Sequence, residues 1–175
     1  GTTGTWTVVT GTATITSANS PTSTITGVPA GSSAVLRWTI SNGVCASKSD
    51  DITLDNQALP TASNAGTDQV ICGSSATLNA NAPGVGGGTG QWSFAPGGNP
   101  DGFGSILDAD SRASGFTGTP GQIYVLYWTI TNGICTPSTD DVQITLQQTP
   151  TVANAGGDQQ VCGTSATLTG NSATA

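Results

Sequence analysis

The sequence predicts an all-β chain of repeated two-sheet sandwiches, and three observations carry that expectation. Thr, Val, Ile and Trp fall in short alternating runs broken by Gly, Pro and Asn, the period-2 pattern of half-buried strands. No stretch sustains the 3.6-residue apolar period of a helix. The chain also repeats itself: sliding it by 90 residues sets Gly31–Asn81 on Gly121–Asn171, with 26 of 51 positions identical.

The repeat sets the expected organisation. Pro60 and Pro150 occupy matching places between runs, which predicts the later part of one repeat over 1–60, a complete repeat over 61–150 and the start of a further one over 151–175. Upstream, Gly4–Val9 matches Gly90–Ala95 at an offset of 86, so the second copy carries about four extra residues, expected in Ala95–Gly104, "APGGNPDGFG". Both ends fall inside a repeat and the chain starts Gly1-Thr2-Thr3 without a Met. It reads as a window cut from a longer array.

Each element follows from its side chains. In "YVLYWTI", Tyr124, Leu126, Trp128 and Ile130 alternate with Val125, Tyr127 and Thr129, and the first copy repeats the inward set as Ala34, Leu36, Trp38 and Ile40. Arg37 and Tyr127 then point outward, which fixes the register. Asn42-Gly43 and Asn132-Gly133 are expected to turn the chain, both residues tolerating positive φ. Ile52/Leu54 and Val142/Ile144/Leu146 form the returning strands, Ser75–Ala80 another, and Trp92/Phe94 a third inward cluster. About seven short strands per repeat predict an immunoglobulin-like sandwich. In this phase Trp6, Trp38, Trp92 and Trp128 are core anchors rather than a carbohydrate-stacking platform. The run Gly84–Gly90, "GVGGGTG", lacks the Lys-Ser/Thr of a phosphate loop and reads as a turn before Trp92.

Composition narrows the function. Charged residues make up 7% of the chain, net charge is −7, and the only bases are Arg37, Lys48 and Arg112. Nucleic acid and anionic lipid need clustered Lys and Arg, so neither is an expected partner. With no His there is no Ser/His or Cys/His catalytic pair. No apolar run of about 18 residues exists to span a membrane as a helix.

The strings "ASNAGTDQVICGSSATLNAN", "GTGQWSF" and "YWTITNGICTPSTDDVQITL" together resemble the PKD-like or Ig-like tandem repeats of giant cell-surface adhesins of Bacteroidota. Those include gliding-motility-associated proteins exported by the type IX pathway. The resemblance covers the whole chain. It implies an extracellular, extended product at the cell surface that is adhesive or filament-forming, with neighbouring repeats as its first partners, homo-assembly into fibres as a second and an unspecified surface glycan or protein as ligand.

In such a setting Cys45, Cys72, Cys135 and Cys162, two per repeat, are expected in disulfides. Two pairings stay open. Cys72 with Cys135 would close one repeat. Alternatively, the Cys before the second strand of one repeat would bond the Cys after the Asn-Gly turn of the next, joining repeats into a rod.

The paired acids Asp50-Asp51 and Asp140-Asp141 do not suggest catalysis, because neighbours on a strand point to opposite faces. Calcium is the one cofactor the acids admit: Asp50, Asp68, Asp140 and Asp158 recur at repeat ends and supply the hard oxygen ligands that ion takes. Lys48 has Ser138 as its counterpart, which excludes a repeated Lys–Asn isopeptide bond. The expected function is therefore a non-enzymatic stalk and adhesin segment. The alternative is a carbohydrate- or protein-binding module that uses the 95–104 loop.

Overall fold

The computed structural model describes residues 1–84 and 88–174. Those residues are all-β, with twelve strands among them, and fall into two compact units. The "GVGGGTG" turn lies partly outside the described residues, at 85–87.

The first unit comprises Gly1–Ala62, Pro83–Thr89 and Ile130–Ser138. Its sheet has the order β1-β4-β5, from β1 (Thr2–Thr10), β4 (Ser32–Asn42) and β5 (Lys48–Asn56). A short ribbon pairs β2 (Thr14–Ile15) with β3 (Ile25–Thr26). All pairings are antiparallel, and Trp6 stands directly opposite Trp38. The two indoles lie with ring centroids 5.1 Å apart, tilted at 44°.

The second unit comprises Ser63–Ala82, Gly90–Thr129 and Thr139–Ala175. One sheet has the order β6-β12-β11-β8, from β6 (Gln69–Cys72), β8 (Thr89–Phe94), β11 (Ile123–Thr131) and β12 (Ser138–Gln147). The other has the order β7-β10-β9, from β7 (Ser75–Asn79), β9 (Ser105–Ile106) and β10 (Ala113–Thr117). The β6–β12 pair is parallel, with Gln69–Cys72 beside Ile144–Gln147, and every other resolved register is antiparallel. Two sheets with seven strands make this an immunoglobulin-like sandwich.

The strand phases follow the alternation in the sequence. Along β11, Tyr124, Leu126, Trp128 and Ile130 are buried and the intervening residues half-buried, and Val142, Ile144 and Leu146 do the same on β12. Leu78, Trp92 and Phe116 complete the core. Burying one such aliphatic side chain contributes about 1.5–3 kcal/mol, so this short list carries most of the unit's stability. Gly90 is required by that packing: a Cβ there would fall 2.2 Å from Cζ2 of Trp128. Gly4 stands in the same relation to Trp38, which explains the shared Gly-x-Trp of β1 and β8.

Two expectations gain detail. The Asn-Gly turns form where expected, but positive φ falls on the glycine alone. Gly43 and Gly133 carry it, at 55° and 54°, and among the described residues no non-glycine residue does. Asn42 and Asn132 instead occupy the first turn position, each accepting the amide of the residue three further on (Cys45 and Cys135) at 3.1 Å. The inserted loop is also longer than the offset suggested. Strands β9 and β10 align with β2 and β3 at an offset of 91, so five residues are added in 95–104 and one is removed before Gly121.

Candidate functional site

The recurring acids serve their own backbone. Asp140 accepts the amide of Ala65 at 2.8 Å, and Asp68 accepts that of Gln143 at 2.9 Å. Both bonds tie the segment that leads into β6 to β12. Asp51 forms a two-pronged pair with Arg37, at 2.7 Å and 2.8 Å, across the β4–β5 register. The hydrogen bond and charge of Asp51 raise the Arg37 pKa, and Arg37 in turn lowers that of Asp51. Asp50 lies exposed on β5 opposite Trp38, and Asp158 lies in the exposed segment after β12. Among the described residues no group of three Cys, Asp or Glu side chains stands close enough to hold a metal ion.

No two of the four cysteines are bonded to each other, so of the two open pairings the one within a repeat, Cys72–Cys135, is not formed. Cys45, Cys72 and Cys162 are exposed and Cys135 is half-buried. The geometry excludes Cys72–Cys135. Cys72 stands beside Gln147 at the end of β12, whereas Cys135 precedes Ser138 at its start. A ten-residue strand at about 3.3 Å per residue separates the two positions, against the roughly 7 Å Cα spacing a disulfide allows. The Cys135 thiol points elsewhere, to the carbonyl of Gln57 at 3.7 Å. Asn132 donates its side-chain amide to the carbonyl of Ala58 at 2.9 Å. The Asn-Gly-x-Cys turn thus holds the 57–58 strand exit.

Trp92 and Trp128 are buried, while Trp6 and Trp38 are half-buried. Trp92 donates its indole N–H to the carbonyl of Ser111 at 3.1 Å. The loop 95–104 is likewise occupied with itself. Asn99 bridges both backbone groups of Gly104, Asp101 accepts the amide of Phe103 at 3.1 Å, and the buried Tyr124 donates its hydroxyl to Asp101 at 3.0 Å. The Thr119 hydroxyl, helped by the Phe103 amide and Tyr124, holds the Asp101 carboxyl below its ordinary value. Phe103 is the one large apolar side chain of this loop left exposed, at 76%.

One device was missed in the sequence, although its residues recur there. Asn64 and Asn81 clasp the segment before β8. Asn81 accepts the Asn64 amide through its side chain at 2.8 Å and returns its own amide to the Asn64 carbonyl at 2.9 Å, while the Asn64 side chain accepts the Gly66 amide at 2.8 Å. Gln69 donates its side chain to the Thr77 carbonyl at 2.9 Å. The same clasp recurs after β12. Asn154, Asn171 and Gly156 make the three equivalent bonds at 2.7, 3.0 and 2.8 Å, and Gln159 donates to Thr167 at 2.8 Å.

No protein-family model matches the chain, and no curated protein matches it. Solved structures do. The I-band fragment I67–I69 of titin superposes with a TM-score of 0.51 at 10% identity over 85% of this chain, which spans 56% of that fragment. The PKD domain of the KIAA 1837 protein gives a TM-score of 0.39 at 20% identity over 56% of this chain and 92% of that one. The tandem Ig repeats of Dlar give 0.35 at 17% identity over 85% and 84%. With the two-sheet topology above, the titin likeness establishes an all-β, immunoglobulin-like sandwich fold.

Proposed function

We propose that this chain is a non-enzymatic structural and adhesive repeat segment of a long extracellular bacterial surface or filament protein, exported and displayed as the Bacteroidota adhesins it resembles. The observation that supports this best is where the recurring polar residues spend their hydrogen bonds. Asp68, Asp140, Asn64, Asn81 and Asn132 all bind backbone of the chain itself. What repetition preserves is therefore a building unit rather than a reaction centre. Its low charge and Thr- and Ser-rich strands keep it soluble through hydroxyls. Immunolabelling of intact and of permeabilised cells with antibody to this segment tests the reading: label along threads on intact cells supports it, and label seen only inside permeabilised cells would overturn it.

Phe103 favours a second reading, in which the 95–104 loop contacts a glycan or protein ligand. The loop is pinned by its own hydrogen bonds, so an exposed aromatic at its tip is presented rigidly. Surface adhesion abolished by Phe103→Ala in a folded chain would establish this reading over the plain stalk.

A further inference from the structure

The cysteines recur with the repeat, yet none belongs to a core. Each repeat carries two, one at the end of the β6 position and one after the Asn-Gly turn. Cys72 is exposed, in phase with Val70 at 68% exposure and out of phase with the half-buried Ile71. Its thiol therefore faces away from the core of its own repeat.

Two contacts fix where the thiols stand. In the second unit Cys72 lies beside Gln147 in the parallel β6–β12 register, and the next amide, of Gly73, donates to the Gln147 carbonyl at 2.9 Å. In the first unit, to which Ile130–Ser138 belongs, the Cys135 thiol reaches the carbonyl of Gln57 at 3.7 Å. Gln57 and Gln147 are the same position of the repeat, 90 residues apart. That position is thus met by two cysteines: the β6 cysteine of its own repeat and the turn cysteine of the repeat that follows. Paired strands lie about 4.8 Å apart, inside the roughly 4.4–6.8 Å between Cα atoms that a disulfide spans.

The turn is seated there by more than its thiol. Asn132 donates its side-chain amide to the Ala58 carbonyl at 2.9 Å, and Gly133 leaves no room for a Cβ against the Gln57 side chain. Asn, Gly and Cys recur together as Asn42, Gly43 and Cys45. The motif is a holder for its cysteine.

We propose that the β6 cysteine of one repeat forms a disulfide with the turn cysteine of the next, welding successive repeats at the strand exit marked by Gln57 and Gln147. This rests on the reading of the chain as part of a tandem array. Cys72 then pairs with the turn cysteine one repeat beyond Cys135, and Cys135 with the β6 cysteine one repeat before Cys72. Oxidised glutathione makes the bond in two exchanges. One cysteine thiolate attacks it and releases a glutathione thiolate, and the second cysteine attacks the mixed disulfide and releases another. Two electrons pass from the cysteine sulfurs to glutathione, and each released thiolate takes up a proton.

The test inserts one further copy of residues 61–150 after Pro150, in phase with the 90-residue period. The added copy carries Ser74→Thr and Ile134→Val, residues that Thr164 and Val44 already supply at those places, so its cysteine peptides differ in mass. The lengthened and the parent chains are oxidised with glutathione disulfide, digested unreduced and mapped. The lengthened chain should yield Cys72 joined to the added copy's Cys135 at least tenfold above any other pair, and Asn132→Ala in that copy should slow the bond at least threefold. The parent chain should yield no Cys72–Cys135 peptide. A Cys72–Cys135 bond within one repeat, equal yields of all pairs, or an unreacted Cys72 in a folded lengthened chain would each overturn the proposal. Should the lengthened chain not fold, protein taken unreduced from its cells decides: cysteines alkylated only after reduction support the weld, and cysteines alkylated before it overturn it. The mapping in solution is independent of where the protein resides, which cell labelling tests separately.

Discussion

At the residue scale, the same side chain has different worth in the two copies, and burial decides it. Leu78→Ala removes a fully buried side chain and should cost about 2–5 kcal/mol in urea unfolding of the second unit. Leu168→Ala, in dilute monomer, should change stability by less than about 0.5 kcal/mol. Asp101 gives a pH counterpart. Its carboxyl is held below the ordinary value of about 3.9 by the Thr119 hydroxyl, the Phe103 amide and Tyr124. A depressed folded-state pKa means the unfolded chain takes up the proton first. That stability is complete above about pH 5 and is lost as pH falls through 4 toward the folded value. Thermal melts from pH 7 to pH 3 should show a flatter acid limb for Asp101→Asn than for the parent. Asp51 adds a shift of the same sign, but its pair with Arg37 is exposed and salt will screen it.

At the scale of elements, strand identity and facing were legible because they depend on local alternation. Tyr124, Leu126, Trp128 and Ile130 alternate in sequence and are buried in that phase. The repeat offset located the inserted loop, but not its size, because a one-residue deletion downstream hid one added residue. What stayed illegible were bonds between elements distant in sequence. Asp140 reads as half of an acid pair until β12 lies beside the 63–68 segment and the Ala65 amide meets it. The Asn64–Asn81 clasp is two unremarkable asparagines until the chain folds back. Glycine 90 is a third case: nothing local marks it, yet Trp128 crosses over it. Gly90→Ala should cost about 1–3 kcal/mol by overpacking, since the indole or the strand must shift. Gly4→Ala, beside the half-buried Trp38, should cost less; paired urea titrations followed by Trp fluorescence check the difference.

At the scale of the whole molecule, the two units differ in how much of their apolar surface they cover. The sheet of the first unit leaves Ile52, Leu54 and one strand edge to solvent, whereas the second unit covers the equivalent positions internally. In dilute solution the first unit should therefore unfold at lower urea than the second. Each unit has its own reporters, Trp6 and Trp38 in one and Trp92 and Trp128 in the other. Trp38→Phe mutes the first signal and so assigns the two transitions.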